Sequence, residues 1–242
     1  MIDLVEQRIV VLRPGCVSNQ RRQNRCNQDS GHSEWSYHAC DSTPRVGYAW
    51  RMPPTPSTML PLGTALPAFR LPDLDGHDVS SDDFRTAPGL LVAFICPHCP
   101  FVKHMRQEFA AFAKQYRDRG LAIVGIMSND TGAHPEDGPD GMKEEAAAVG
   151  YTFPYLFDDT QAVAKLFRAA CTPDLFLFDH SGTLVYRGQF DESRPGNSHP
   201  VTGADLRAAA DAVLAGAPLP TDQKASIGCN IKWKRGNEPD YV

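Results

Sequence analysis

The sequence has no uninterrupted apolar run long enough to span a membrane, which argues against a transmembrane protein. Met1–Leu12 carries Asp3, Glu6 and Arg8 where a secretory signal would need a purely apolar stretch. Positive charge is not in excess either, because the formal net charge is -5. This balance gives no electrostatic basis for binding nucleic acid or an anionic membrane. We therefore expect no nucleic-acid or membrane partner and, by default, a cytoplasmic location.

Cysteine is too sparse for a disulfide scaffold, since the 242 residues contain only seven, an odd number. Two of them, Cys96 and Cys99, lie close together, and no second Cys-x-x-Cys pair follows. This disfavours a structural zinc site, although Cys96, Cys99, Cys171 and His98 could supply four ligands if the fold brought Cys171 close. We expect no metal and no cofactor.

The first 58 residues differ in composition from the rest of the chain. Gln20–Ser33 is crowded with Arg, Asn, Gln and Ser, and a proline-rich stretch follows before residue 58. Such a composition buries too little apolar surface to offset the entropy lost on ordering. We predict that residues 1–58 are a disordered extension or a misread start, that 59–220 form one domain, and that 221–242 form a tail packed on or near it.

The most informative stretch is Leu90–Arg119. Leu90–Ile95 is a continuous apolar run of strand length, and apolar residues then recur at three- and four-residue spacing from Phe101 to Tyr116, as on one face of a helix. Between strand and helix lies Cys96-Pro97-His98-Cys99. A thiolate is stabilised at a helix N-terminus, so this junction predicts thiol chemistry.

The rest of the sequence alternates strand and helix signals. Strands are predicted at Phe69–Leu74, His77–Val79, Leu121–Met127, Leu175–Phe178 and Thr183–Tyr186, and helices at Met142–Val149, from Asp158–Thr160 to Arg168, and from Thr202 or Asp205 to Gly216. The first two core strands are linked by a helix and are therefore parallel, whereas the last two read as a hairpin. This order predicts an α/β fold, a three-layer α/β/α sandwich with a mixed central sheet.

This order, with two cysteines at the first strand-to-helix junction and Thr172-Pro173 before a late strand, resembles the thioredoxin-like superfamily. Four separated segments are similar to bacterial thioredoxin-family proteins of the redoxin or peroxiredoxin-like (alkyl hydroperoxide reductase–thiol-specific antioxidant) type: Phe94–His104, Ala170–Asp174, Tyr186–Gln189 and Ser226–Lys234. The resemblance implies a thioredoxin-like fold, a cis bond before Pro173 with that proline packed against the cysteines, and an antioxidant or thiol-disulfide oxidoreductase function.

The sequence supports two registers for the attacking cysteine. Cys-Pro-His-Cys resembles the motif of disulfide-forming thioredoxin-like oxidoreductases, which implies attack by Cys96 with His98 stabilising its thiolate. Matching strand to strand instead puts Cys99 at the attacking position. Pro100 favours the second register, because proline suits the first position of a helix and disrupts the fourth. We predict Cys99 as the thiolate, facing an exposed helix N-terminus, with Cys96 or Cys171 resolving the mixed disulfide.

The predicted reaction is thiol-disulfide exchange, with a disulfide-containing protein or a small thiol or peroxide as substrate and a cellular thiol as reductant. A peroxiredoxin-like thiol peroxidase is the alternative, although Cys96 and Val92 stand where peroxiredoxins place threonine and proline. Cys229 could then act as a distant resolving thiol, but its alternation with apolar neighbours favours simple packing. A non-catalytic binding module is a third possibility, which two thiols at the helix start disfavour.

Overall fold

A computed structural model describes residues 54–242 of the chain. The strands are β1 (Thr55–Pro56), β2 (Arg70–Pro72), β3 (Asp78–Ser80), β4 (Gly89–Phe94), β5 (Ala122–Met127), β6 (Tyr155–Phe157), β7 (Cys171–Thr172), β8 (Asp174–Asp179), β9 (Leu184–Gly188) and β10 (Ile227–Asn230). The α-helices are α1 (Pro100–Asp118), α2 (Pro139–Val149), α3 (Ala162–Leu166) and α4 (Ala204–Ala215), and short 3₁₀ helices cover Ser81–Phe84 and Pro135–Asp137. Within residues 54–242, none of the helices combines the length and apolar character needed to cross a bilayer.

The central sheet has the strand order β6-β5-β4-β8-β9. β4 pairs in parallel with β5, and β5 with β6, whereas β8 runs antiparallel to both β4 and β9. The predicted mixed sheet is therefore confirmed, as are the parallel first pair and the late hairpin. β4 lies in the middle, so the loop that follows it opens at the centre of the sheet edge.

The alternation of side chains along β4 builds the two apolar layers. Leu91, Ala93 and Ile95 face a cluster that includes residues of α1 and α4, whereas Leu90, Val92 and Phe94 face a second cluster that includes residues of α3. Both faces of a strand are buried only when helices cover both sides of the sheet. The three-layer α/β/α arrangement is thus the observed one, and the fold is thioredoxin-like.

Several predicted elements differ from the observed ones. The helix predicted from Asp158–Thr160 to Arg168 is shorter, since α3 spans Ala162–Leu166. Tyr155–Phe157, where no strand is predicted, is strand β6, because three residues after Pro154 are too few to show a period while the edge of β5 still pairs with them. α2 begins at Pro139 rather than Met142, since proline is accommodated in its first turn. Gly203, rather than Thr202 or Asp205, is the N-cap of α4.

The boundary predicted at residue 58 lies too far along the chain. β1 pairs antiparallel with β10, the Ser57 amide donates to the Ser226 carbonyl at 2.8 Å, and the Thr58 hydroxyl donates to the Arg168 carbonyl at 2.7 Å. Residues 54–58 therefore belong to the folded unit. The rest of the predicted extension, residues 1–53, lies outside the described residues.

The predicted tail is an integral part of the fold. β10 lies between β1 and β7, and Gly228 approaches the β7–β8 junction so closely that a Cβ there would stand 2.0 Å from the Thr172 carbonyl oxygen and 3.1 Å from the Pro173 nitrogen. Only glycine leaves room for this backbone contact. The sequence from Ser226 onward is thus fitted to the segment around Pro173.

We expect Gly228→Ala to lower the free energy of unfolding by about 1–3 kcal/mol, the usual range for overpacking, because backbone must move. Urea unfolding would measure the loss. Gly132→Ala is the matched control, since a Cβ there meets nothing closer than the Asp130 carboxylate at 3.2 Å. Equal stability of the two variants would show that β10 does not depend on the close approach at Gly228.

Candidate active site

The two cysteines of the motif lie between the end of β4 and the start of α1. β4 ends at Phe94, and the Ile95 amide still donates to the Ile126 carbonyl of β5, so Cys96 directly follows the sheet. Cys99 is the N-cap of α1 with extended backbone angles, and Pro100 occupies the first helical turn. This is the geometry that the position of Pro100 predicts.

Thr172 joins the two thiols to the opposite strand. The Cys99 thiol donates to the Thr172 carbonyl at 3.0 Å, and the Cys96 sulfur lies 3.4 Å from the Thr172 hydroxyl. The Thr172–Pro173 peptide bond is cis, as the family resemblance implies. Thr172 is therefore a contact residue of both thiols, a role that its sequence position beside Pro173 does not by itself reveal.

The surroundings of Cys99 favour its ionisation. Burial alone would raise the pKa of Cys99, but hydrogen bonds from the Cys229 and Cys96 thiols and from Thr172 outweigh it and lower the pKa. A weaker interaction with the Val102 amide, in the first turn of α1, adds to this effect. Burial and donation to Cys99 raise the pKa of Cys96 well above the ordinary thiol value. Of the two, Cys99 is the thiol that ionises more readily, and on ionising it gives up the hydrogen bond that it donates to the Thr172 carbonyl.

The predicted exposure of Cys99 is wrong. Its side chain has no exposed surface, and that of Cys96 is 1% exposed, because Thr172 and β10 cover the start of α1. Both sulfurs belong to the apolar cluster beneath the helix, together with Val102 and Met105. A reagent must therefore be small, or the cover must open, before Cys99 can react.

Cys171 faces away from this pair. It precedes Thr172 in β7, and successive strand residues point to opposite faces. Its thiol is bonded to the Pro173 carbonyl at 3.4 Å, and burial raises its pKa well above the ordinary value. Among the contacts of the described residues, none joins Cys171 to Cys99 by a hydrogen bond. The four residues weighed above as zinc ligands, Cys96, Cys99, Cys171 and His98, do not form one cluster of possible metal ligands within residues 54–242.

A buried carboxylate that the sequence analysis missed holds His98. The Asp137 side chain accepts from the His98 amide at 3.0 Å and makes a short contact with His98 Nδ1. The Asn129 amide donates to the same carboxylate at 2.8 Å. Burial of Asp137 is outweighed by these bonds from His98 and Asn129, so its pKa is lowered. His134 stacks on His98 at a centroid distance of 4.9 Å and completes the cluster.

His98 lies near Cys96 rather than Cys99. Its Nδ1 is 3.9 Å from the Cys96 sulfur, but the same nitrogen contacts Asp137. A ring nitrogen that donates to a carboxylate has no lone pair to offer a thiol. The geometry therefore supports His98 as a residue that fixes the loop, not as a base. No local pattern around Asp137 marks it in the sequence, since it stands in an ordinary acidic loop.

Cys229 is the fourth thiol that the structure describes in this region. In the β7–β10 pair it lies directly opposite Thr172, and its thiol interacts with Cys99. Donation to Cys99, with burial, raises the pKa of Cys229. The sequence predicts that Cys229 packs, and it does pack against the apolar cluster that contains Cys96 and Cys99.

Asp174 is a second buried acid close to the site, one residue after Pro173. It has no exposed surface, and burial raises its pKa to about 7 despite hydrogen bonds from Ser57 and the Ala170 and Leu175 amides. One of its carboxyl oxygens, Oδ1, has no hydrogen-bond partner among the described residues. The folded protein thus retains a proton on Asp174 that the unfolded chain releases near pH 4.

This difference predicts a stability that depends on pH. Between about pH 4 and 7 Asp174 is protonated in the folded protein and ionised in the unfolded chain, so its contribution to the free energy of unfolding falls as pH rises and levels off above 7. Asp174→Asn should reduce the fall, measured by urea unfolding at pH 5 and pH 8. Burial also raises the pKa of Glu145 to about 7, so in Asp174→Asn the part of the decrease in unfolding free energy that is due to Glu145 should remain. An unchanged slope would contradict the protonated state of Asp174.

The site can be compared with known proteins. The solved structure of a hypothetical protein from Sinorhizobium meliloti 1021 is 53% identical, with a TM-score of 0.74, and the alignment covers 75% of this chain and 100% of that one. A Mycobacterium tuberculosis protein provisionally named a peroxiredoxin is 30% identical over 115 residues, which are 48% of this chain and 68% of the relative.

More distant structures share the fold alone. One from Chlorobium tepidum, provisionally named the thiol:disulfide interchange protein DsbE, is 22% identical with a TM-score of 0.50, over 64% of this chain and 99% of that one. The family model described as the AhpC/TSA family matches residues 62–187, a range that contains Cys96, Cys99 and Pro173. The chain belongs to the AhpC/TSA family, whose peroxiredoxin and thiol-disulfide oxidoreductase relatives make it an oxidoreductase of the redoxin type.

Proposed function

We propose that the protein is a thiol-disulfide oxidoreductase in which Cys99 attacks and Cys96 releases the product. The observation that carries this proposal is the placement of two neighbouring thiols, with Cys99 at the N-cap of α1 and Cys96 just after the end of β4. The two thiols also differ in how readily they ionise. The pKa of Cys99 is lowered by thiol and hydroxyl donors, whereas burial raises the pKa of Cys96. In such a pair, the thiol with the lower pKa, Cys99, attacks the substrate, and the thiol with the higher pKa, Cys96, keeps its proton until the second exchange.

The reaction proceeds in two exchanges. The Cys99 thiolate attacks one sulfur of a substrate disulfide RS–SR, forms a Cys99–SR mixed disulfide and expels RS⁻. Cys96 then attacks the Cys99 sulfur, which forms the Cys96–Cys99 disulfide and expels the second RS⁻. The proton of Cys96 leaves with that product. The substrate is reduced by two electrons, and a cellular thiol must later return them to the protein.

The His98–Asp137 contact supports this chemistry by positioning. Asp137 accepts two groups of His98 and one of Asn129, so the loop between the two cysteines is held against the end of β5. The Thr172 hydroxyl holds Cys96 from the other side. Reacting groups held in one geometry do not lose conformational freedom in the transition state, which is a large part of catalysis.

The burial of Cys99 selects the size of the substrate. A thiolate without exposed surface is reached more easily by a low-molecular-mass disulfide than by a disulfide in a folded protein. We therefore propose a low-molecular-mass disulfide as substrate in place of the disulfide-containing protein that the sequence suggests.

Cys99→Ser should abolish reduction of glutathione disulfide in the presence of excess dithiothreitol, beyond the uncatalysed exchange, because serine supplies no thiolate. Release of glutathione measures the activity, and circular dichroism checks the fold. Cys171→Ser is the matched control, since Cys171 faces away from the pair, and it should retain most of the activity. Loss of activity in Cys171→Ser but not in Cys99→Ser would contradict the assignment. A wild-type protein inert toward disulfides and peroxide alike would favour a binding module.

Thiol peroxidase activity is a second candidate, and the same burial of Cys99 favours it, because a peroxide is smaller than any disulfide. The thiolate would attack one oxygen of ROOH, form a sulfenic acid and release RO⁻, which takes up a proton. Cys96 would then condense with the sulfenic acid and release water. The family match and the named mycobacterial relative support this reading.

Peroxide turnover distinguishes the two candidates. If the protein is mainly a peroxidase, kcat/KM for hydrogen peroxide should exceed that for glutathione disulfide, and a variant with serine at both Cys96 and Cys229 should accumulate sulfenic acid that dimedone traps on Cys99. If it is mainly a disulfide reductase, the order of the two constants is reversed. Both constants are measured from glutathione or peroxide concentration with dithiothreitol as reductant.

A further inference from the structure

The β7–β10 pair brings a third thiol to the redox pair. Cys229 lies opposite Thr172 in the antiparallel register, so their side chains share one face of the two strands. Thr172 contacts both Cys96 and Cys99, and Cys229 packs against the apolar cluster that contains those two residues. Because Gly228 has no side chain, β10 can lie this close to the backbone of Thr172.

Exposure separates Cys229 from the other two. Cys96 and Cys99 are 1% and 0% exposed, so a disulfide between them would offer almost no surface to an incoming thiolate. Cys229 is partly exposed, unlike the other three cysteines of residues 54–242. A reductant from solution can therefore meet the Cys229 sulfur first.

We infer that Cys229 is a third redox thiol, which takes over the disulfide from Cys96 and presents it to the reductant. This inference rests on the proposed function, because the disulfide that is transferred is the product of the Cys99 reaction. It assigns the re-reduction of the protein to a residue 130 positions after Cys99 in the sequence, carried by the C-terminal strand.

The disulfide reaches the reductant through three successive thiol-disulfide exchanges. Cys229 attacks the Cys99 sulfur of the Cys96–Cys99 disulfide, which forms a Cys99–Cys229 disulfide, and its proton ends on Cys96. An external thiolate R′S⁻ then attacks the Cys229 sulfur, forms Cys229–S–SR′ and expels the Cys99 thiolate. A second R′S⁻ attacks the external sulfur, releases R′S–SR′ and leaves Cys229 reduced after it takes up a proton.

The direction of attack follows from the properties of the two sulfurs. Exchange is faster when the leaving thiol has the lower pKa, and attack on Cys229 expels Cys99, the better leaving group. The reductant thus acts on the accessible sulfur while the buried sulfur leaves. Cys171 cannot serve as this third redox thiol, since it lies on the opposite face of β7 and is fully buried.

Single-turnover and multiple-turnover kinetics test the inference. Pre-reduced protein is mixed with glutathione disulfide without reductant, and separately with reduced thioredoxin as a bulky reductant. In Cys229→Ser, whose hydroxyl can still donate to Cys99, the first burst of glutathione release should keep its full amplitude whatever its rate. The steady-state rate with thioredoxin should fall about tenfold or more relative to the burst rate, because access to the disulfide limits exchange. Ile227→Ser, an exposed change in the same strand, should retain both. Cys229→Ala repeats the test without a hydroxyl.

Peptide mapping supplies an independent measurement on folded protein. Cys96→Ser, oxidised by glutathione disulfide and alkylated in acid, should contain the Cys99–Cys229 disulfide. A free, alkylated Cys229 in that sample, or a Cys229→Ser steady-state rate equal to that of the wild type, would overturn the inference while leaving the Cys99 reaction in place. No burst from the wild type would instead reject the proposed function.

Discussion

The site depends on the contacts of one residue, Thr172. Its carbonyl accepts the Cys99 thiol, its hydroxyl meets the Cys96 sulfur, and its place in β7 sets Cys229 opposite it. A backbone carbonyl at the end of a strand has a fixed direction, so the two thiols are held at a distance determined by the sheet. Three sulfurs from two segments far apart in sequence are thus arranged around a single threonine.

Asn129 connects this centre to the rest of the fold. It follows β5, donates to the Asp137 carboxylate at 2.8 Å and accepts from the Lys232 amide at 2.8 Å. The loop that carries His98 and the segment after β10 are therefore held by opposite ends of one side-chain amide. Because a buried amide left without either partner costs free energy, each segment stabilises the position of the other.

The sequence predicts what local patterns encode. The apolar run before Cys96 and the helical spacing from Phe101 identify β4 and α1, and Pro100 identifies the cap. Asp137, Asn129 and Thr172 escape prediction because their roles arise from long-range contacts. β6 escapes for a related reason, since a three-residue strand is formed by the edge it pairs with. Cys229 lies in a recognisable strand pattern, but the strand with which it pairs, β7, is more than 50 residues earlier in the sequence.

Burial explains why two thiols would not suffice at this site. A low-polarity environment raises the pKa of every thiol buried in it. A thiolate is therefore stable there only where hydrogen bonds from neighbouring donors outweigh the cost of desolvation. Two of the donors, Cys96 and Thr172, are themselves buried, and this hides a Cys96–Cys99 disulfide from solvent. A strand that enters from the C-terminal side, with one face against Cys99 and one edge toward solvent, resolves the conflict between a stabilised thiolate and an accessible disulfide. The glycine before Cys229 is the structural condition for that arrangement.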